Sequence, residues 1–339
     1  MTVRVGINGF GRIGRSFVRA ALAQGADIEV VAVNDLTSPE TLGHLLEYDS
    51  TQGHLDVPVS VDGDVISAGR HHMQVLAERD PAALPWGDLG CPVVLESTGL
   101  FTARSEAAAH LKGGAERVII SAPAKDADAT FVMGVNSETF DPALHVVISN
   151  ASCTTNCFVP MVKVVDDAFG VASGLMTTVH AYTNDQNLLD LQHKDLRRAR
   201  AAAVNIVPTS TGAARATGLV LASMQGRLDG YSLRVPIPVG SITDFTAVVS
   251  GLPSVDEVNR AFAEAAAGPL AGIIEYSAEP LVSSDIVGNP ASCVFDSELT
   301  MIQPIDDATS LVKVFGWYDN EWGYANRLVD LVRFVGEAG

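Results

Sequence analysis

The segment Gly9-Phe10-Gly11-Arg12-Ile13-Gly14 follows directly on an apolar run, Val3–Asn8, and opens a helical pattern, RIGRSFVRAALAQG, that Gly25 closes. A G-x-G-x-x-G in that setting leaves few folds open. Its glycines let backbone approach a pyrophosphate, the helix start supplies N–H donors and a favourable dipole, and the chain returns to a second parallel strand. Ile28–Asn34 reads as that strand, and Asp35 ends it close to the offset of roughly 20 residues at which a carboxylate binds the adenosine ribose hydroxyls. A carboxylate there repels a 2′-phosphate, which favours NAD over NADP. Asp35 also reads as a cap for the turn NDLTSPE; the two roles are compatible, and the ligand role is the expectation.

Further apolar runs, Cys91–Gly99, Arg117–Pro123 and His145–Asn150, read as buried strands, and ARSEAAAHLKGG as a helix closed by Gly113. That alternation means βαβ units and a largely parallel sheet. After a helix from about Cys153 to Phe169 the texture changes. GLMTTVHAYT, YSLRVPIP, SITDFTAVVSG, CVFDSELTMI and SLVKVFGWYD predict an antiparallel or mixed sheet, with SVDEVNRAFAEAAAG as a helix across one face. A chain of 339 residues is also long for one core. We therefore expect an α/β protein with an N-terminal Rossmann-like doubly wound parallel sheet over 1–152 and a C-terminal α+β catalytic domain over 153–320. A last helix, 321–339, is expected to pack back on the first domain.

A formal charge of −18 argues against nucleic acid as a partner, because phosphate backbones are gripped by Lys and Arg. An anionic substrate needs a local positive site instead. The one basic cluster, HKDLRRARAA from His193, reads either as a solvated face or as a substrate or subunit contact. No run approaches a membrane span of roughly 20 apolar residues, and the start MTVRVGINGF lacks a signal-peptide core. Four cysteines, Cys91, Cys153, Cys157 and Cys293, make no disulfide framework, so a cytoplasmic protein is expected.

The chemistry centres on ISNASCTTNC. A buried cysteine ordinarily packs as a small hydrophobe. Cys153, however, has Ser152, Thr154, Thr155 and Asn156 as neighbours, a poor apolar shell but a good first helical turn. The positive end of a helix favours the thiolate there. His180, in TTVHAYTND, is flanked by Thr177, Thr178, Thr183 and Asn184; it reads as a structural strand histidine or as part of a polar cleft that completes a Cys/His pair able to form an acyl-enzyme. Cys157, one turn beyond Cys153, has no CxxC partner or nearby His/Cys set, so no metal site is expected.

Taken together, GINGFGRIGR, SNASCTTNC, TVHAYTNDQ, HKDLRRARAA, VPTSTGAA and WYDNEWGYANR resemble phosphorylating glyceraldehyde-3-phosphate dehydrogenases, in family order over nearly the whole chain. The resemblance implies that Cys153 attacks an aldehyde carbon and that His180 activates the thiol and accepts the hydroxyl proton. The resulting thioester is cleaved by inorganic phosphate to an acyl phosphate, in glycolysis or gluconeogenesis. His180 and the Cys153 backbone N–H would stabilise the oxyanion. One anion site maps onto Ser152, Thr154, Thr211 and Gly212. The other maps onto Thr183 and Arg234, with Arg198 nearby. For NAD, Arg12 and Ile13 would lie on the pyrophosphate and Asp35 on the ribose. Arg79, Thr98, Gly99 and Ser121 would line the adenosine side, Asn320 would hold the nicotinamide carboxamide, and Tyr324 would pack nearby. From the residues alone, Arg79, Thr98 and Ser121 read equally as turn or surface positions. The implied assembly is a homotetramer with His180–Arg200 near its centre.

Four positions depart from the pattern: Gln192 where NAD-using members usually carry Pro, and Ile237, Val239 and Gly240 where Thr, Asn and Val are common. The last three lie close to Arg234 in sequence, and altered accessibility of the Cys153 thiol is the expectation they raise. The nearest rival is an erythrose-4-phosphate dehydrogenase, which shares the Cys/His chemistry without phosphate attack; PTSTGAA, carrying Thr211 and Gly212, argues against it.

Overall fold

A computed structural model describes residues 2–338. They form two compact units. The first comprises the described residues up to Phe131, Thr139–Ser152, and those from Ala325 onward; the second comprises Val132–Glu138 and Cys153–Tyr324.

The first unit is built on a nine-stranded sheet. Strand Val3–Asn8 lies at its centre, paired in parallel with Ile28–Asn34 on one side and with Val93–Glu96 on the other. Arg117–Ile120, Val147–Ser149 and Ala129–Thr130 continue in parallel beyond Val93–Glu96. His71–Leu76 continues in parallel beyond Ile28–Asn34. Strand order thus reverses at Val3–Asn8, and a crevice opens at the carboxyl ends of the strands where such a reversal occurs. Burial on both faces, complete along Val93–Glu96 and Val147–Ser149 and nearly so along Val3–Asn8, explains why these strands read as continuous apolar runs rather than alternating ones. Two antiparallel strands, Val59–Asp62 and Val65–Ala68, extend one edge; their short, mixed sequences carry no strong strand pattern.

The expected helix over ARSEAAAHLKGG is two short helices, Arg104–Ala107 and Ala109–Lys112. The Leu111 N–H bonds three residues back, to the Ala108 carbonyl, which tightens the turn and breaks the helical ladder. The final helix, Trp322–Glu337, enters the first unit at Ala325, where Gly336 lies against Val3 so closely that a Cβ would sit 2.5 Å from the valine side chain.

The second unit carries an eight-stranded mixed sheet. Val171–Ala181 pairs in parallel with Leu228–Val235 and antiparallel with Ser241–Ser250, which pairs with Thr309–Tyr318. Strict alternation along Ser241–Ser250 buries Ser241, Thr243, Phe245, Ala247 and Val249 on one face. Helix Cys153–Phe169 shares the core on that face: Phe158 meets Phe245 edge-on at 5.0 Å, and Val162, Val165 and Met176 belong to the same cluster. Helix Val255–Ala267 begins with a capping box, Ser254 and Glu257, and its Phe262 stacks on Phe295 at 3.8 Å. The segment read as one strand, CVFDSELTMI, is divided by a 3₁₀ turn, Ser297–Leu299, because the Asp296 side chain accepts the Glu298 N–H and caps it.

Candidate active site

In the first unit, the turn after Val3–Asn8 is shaped by close approach. Gly9 has φ +92°, and a Cβ there would lie 2.6 Å from the Thr98 nitrogen, so no other residue fits without moving backbone. Helix Arg12–Ala23 starts at Gly11 with no side-chain cap, and a Cβ on Gly11 would meet nothing within 4 Å. The helix start is therefore open toward the cavity, as an anion-binding helix start requires. That cavity, about 330 Å³, is lined by Gly9, Gly11, Asp35, Arg79 and Thr98 from the sequence reading, together with Asn8, Asn34, Leu36, Glu78, Ser97, Leu100 and Phe101. Asp35 does cap its turn, accepting the Phe10 and Thr37 N–H groups at 3.0 Å each, while it also borders the cavity. A cleft with an open helix start at one part of its wall and a carboxylate at another fits a dinucleotide.

Other residues assigned to this cofactor lie elsewhere. The Arg12 guanidinium turns to Asp49, at 3.1 Å, and to Thr51, at 2.6 Å. Burial pushes the Asp49 carboxyl up, but Arg12 and the Gln52 and Thr51 N–H groups together hold it well below the usual carboxylate range. Ile13 is half-buried on its helix, Gly99 follows Thr98 in the turn, and the Ser121 N–H bonds the Glu96 carbonyl at 2.9 Å.

In the second unit, Cys153 is the first residue of its helix and His180 lies near the end of strand Val171–Ala181. Period-two alternation puts Met176, Thr178 and His180 on the buried face, toward that helix. The Cys153 Sγ and His180 Nε2 are 3.4 Å apart. His180 Nδ1 lies 2.6 Å from the Ala181 carbonyl oxygen, which can only accept, so Nδ1 carries the proton and Nε2 presents its lone pair to the sulfur. Burial, with the Arg234 charge, pushes the imidazole down to about 3; burial pushes the Cys153 thiol up to about 11, against the pull of Arg234. Enclosure thus works against the thiolate that the positive helix end favours, and against the imidazolium. Moving the proton from Sγ to Nε2 would place two opposite charges 3.4 Å apart in a low-dielectric pocket, and their attraction offsets part of the cost of enclosing each.

The approach to the helix stores strain. Ala151 has φ +55°, unusual for a residue with a Cβ, and its N–H is held by the Ser149 hydroxyl at 2.9 Å. Ser152 then leads into Cys153. Thr154 is buried with its hydroxyl 2.8 Å from the Tyr318 hydroxyl, which lies 2.8 Å from Thr178 Oγ1 as well. Tyr318 escaped sequence reading, since nothing in WYDN marks that tyrosine as bonded to either threonine.

Arg234 pairs with His180 across the strands and donates to the Ala181 carbonyl at 3.1 Å and to Thr183 Oγ1 at 2.8 Å. Arg198 donates to Thr209 Oγ1 at 2.7 Å and to Asp185 at 2.5 Å. The Thr183 hydroxyl donates to Asp185, and Arg234 approaches the same carboxylate at 3.9 Å. Thr183, Arg198 and Arg234 therefore converge on one anionic group, Asp185, a residue the sequence reading did not single out. Thr211 and Gly212 stand just before helix Ala213–Val220, with Thr211 Oγ1 accepting the Ala213 N–H at 3.2 Å. Asn320 is buried, its Oδ1 accepting the Gly240 N–H at 3.2 Å and the Ser241 hydroxyl at 3.0 Å, while Tyr324 is buried at the start of the last helix.

Residues 3–104 match the family model described as the glyceraldehyde 3-phosphate dehydrogenase NAD binding domain, and residues 152–320 match the C-terminal domain of the same family. Among curated proteins, the chain is 60% identical over 337 residues to glyceraldehyde-3-phosphate dehydrogenase 1 of Streptomyces avermitilis, covering 99% of each chain. It is 60% identical over 337 residues to the Streptomyces coelicolor glyceraldehyde-3-phosphate dehydrogenase. To that of Mycobacterium tuberculosis it is 61% identical over 344 residues, with all of both chains covered.

Proposed function

The chain belongs to the glyceraldehyde 3-phosphate dehydrogenase family, and from that premise we propose that it oxidises D-glyceraldehyde 3-phosphate with NAD and inorganic phosphate to 1,3-bisphosphoglycerate through a thioester on Cys153. The observation that carries this reading is the Cys153–His180 pair, 3.4 Å apart with the Nε2 lone pair facing the sulfur.

The Cys153 sulfur adds to the aldehyde carbon as its proton passes to His180 Nε2, and that proton is delivered to the new alkoxide to give a thiohemiacetal. His180 then takes back the hydroxyl proton. Gly9, Gly11, Asp35, Arg79 and Thr98 would hold the dinucleotide, which would supply the hydride acceptor for oxidation of that carbon to the thioester. Phosphate oxygen attacks the thioester carbon, the C–S bond breaks, and the leaving thiolate recovers the proton from His180. The Cys153 backbone N–H at the helix start and His180 stabilise the oxyanion in both additions. Thr183, Arg198 and Arg234 hold one phosphoryl group; their present convergence on the Asp185 carboxylate supports the suitability of that cluster for an anion. Ser152, Thr154, Thr211 and Gly212 serve the second. Arg12 and Ile13 contribute the helix start, Gly99 and Ser121 the adenosine side, and Asn320 the nicotinamide carboxamide, beside Tyr324.

We assign the protein to the cytoplasm as a homotetramer. Among the described residues no helix is long and apolar enough to cross a membrane, and all four cysteines are free thiols. Support for assembly comes from residues 182–201, a long stretch without helix or strand. There and just beyond it Leu188, Leu189, Leu191, Leu196, Val204 and Ile206 are 65 to 81% exposed, an apolar surface that a second copy would cover.

NADH formation from D-glyceraldehyde 3-phosphate tests the reading. Strong turnover that requires phosphate and prefers NAD to NADP is expected. Phosphate-independent turnover, or preference for erythrose 4-phosphate, would overturn it.

A further inference from the structure

We propose that Glu96, buried beneath the dinucleotide cavity, is a positioning residue that orients both walls of that cavity, and that His110 and Trp86 fix its hydrogen-bond pattern. The proposal rests on reading the cavity as the NAD site. Glu96 ends strand Val93–Glu96 and is 2% exposed; His110 and Trp86 are fully buried.

Trp86 Nε1, which can only donate, lies 3.0 Å from His110 Nδ1. That ring nitrogen is therefore the acceptor, and the imidazole proton sits on Nε2, which donates to Glu96 Oε2 at 3.0 Å. The same oxygen accepts from Asn8 Nδ2 at 2.6 Å. The other carboxylate oxygen, Oε1, accepts the Thr98 N–H at 2.8 Å and the Thr98 hydroxyl. Four donors thus converge on one carboxylate, and each oxygen serves a different wall.

On the first wall, Thr98 Oγ1 accepts the Leu100 N–H at 3.1 Å, so Glu96 holds the turn whose Thr98 and Leu100 border the cavity. On the second, Asn8 is committed as a donor to Glu96 and so presents Oδ1 to Asn34 Nδ2 at 2.7 Å. Asn34 in turn donates to the Glu78 carbonyl and accepts the Glu78 N–H, each at 2.8 Å. Asn8, Asn34 and Glu78 all line the cavity. The two ends of an amide have nearly the same shape, so packing alone does not set which way Asn8 and Asn34 point. The Glu96 acceptor oxygen at one end of the chain and the Glu78 backbone N–H and carbonyl at the other set it together.

Glu96→Gln keeps the shape and replaces one acceptor oxygen by a donor. Where the new amide faces Asn8 it also faces the His110 Nε2–H, and Asn8 can accept from it only by turning its own amide against Asn34 Nδ2, which Glu78 holds in place. Calorimetric titration of the full-length protein with NAD is expected to show Kd raised about tenfold, with KM for NAD rising in parallel and kcat within about threefold, because the Cys153 chemistry is not part of this network. Adding Asn8→Asp supplies an acceptor for the introduced amide and for Asn34 and puts an oxygen where the Asn8 amide now lies 3.5 Å from His110 Nε2, so the double variant should return Kd to within about threefold of the starting protein. Trp86→Phe leaves the carboxylate in place and removes the donor that fixes the His110 tautomer, along with part of a fully buried ring. It should give a smaller rise, about threefold, and serves if Glu96→Gln does not fold. An unchanged Kd in folded Glu96→Gln, no rescue by Asn8→Asp, or no rise in Trp86→Phe overturns the proposal. Failure of the unsubstituted protein to bind NAD would instead refute the cofactor reading, and the proposal with it.

Discussion

His71 shows how one side chain couples folding to pH. It is fully buried, Nδ1 accepts the Val30 N–H at 3.2 Å, and Nε2 has no hydrogen-bond partner. Burial, with the Arg70 and His72 charges, pulls its pKa from 6.5 down to about 4. Between those values the folded protein binds fewer protons than the unfolded chain, so the contribution is complete above pH 6.5 and is lost as pH falls toward 4. The loss is worth about 3 kcal/mol. Urea unfolding at pH 7 and pH 4.5 should show it, and His71→Leu should flatten that part of the pH dependence. At the reaction centre, Cys153→Ala should abolish turnover. His180→Asn should lower kcat by roughly 10² to 10⁴ without preventing NAD binding, measured by steady-state kinetics and titration. The departure at Gly240 has a local cause: φ is +88° and a Cβ would lie 2.4 Å from the Ser283 carbonyl oxygen, so valine could not stand there. Nothing in the structure explains Gln192.

At the scale of elements, the same device recurs: a helix start is placed by a strand end, and its first turn carries residues given a role in the proposed chemistry. Helix Arg12–Ala23 opens on a cavity through a bare glycine, whereas helix Cys153–Phe169 opens on Cys153, the proposed nucleophile, after a strained Ala151. Helix Val255–Ala267 has no such duty and is capped conventionally, Ser254 Oγ accepting the Glu257 N–H and the Glu257 carboxylate accepting the Ser254 N–H at 2.7 Å. Ser254→Ala should therefore cost about 1 kcal/mol in chemical denaturation and leave kcat and both KM values unchanged. Elements with a strong local pattern were legible in the sequence, among them Ile28–Asn34 and the alternating Ser241–Ser250. The break at Ala108, the edge strand Val59–Asp62 and its neighbour Val65–Ala68 were not, since their conformation comes from tight turns and neighbouring strands rather than from periodicity.

For the whole molecule, a net charge of −18 is compatible with the chemistry proposed on phosphorylated substrates because two arginines, Arg198 and Arg234, are gathered at one place. The exposed leucines of residues 188–196 carry a prediction at this scale. Sedimentation should give the mass of four chains, and replacing Leu188, Leu191 and Leu196 by Ser should shift the protein toward smaller species; a monomer before substitution would refute the proposed assembly. By itself the sequence determined the α/β class, the glycine-rich turn, Asp35 at the end of its strand and a cysteine opening a helix, because each is a pattern within a few dozen residues whose backbone demands are local. Only the tertiary structure decided that Thr154 meets Tyr318, 164 positions away, that Asn8 meets Glu96, 88 away, and that Asp185 gathers two arginines. Such contacts join polar side chains through the packing of separate elements. No spacing along the chain encodes them, and low-dielectric surroundings make each buried donor take whichever acceptor the fold brings within reach.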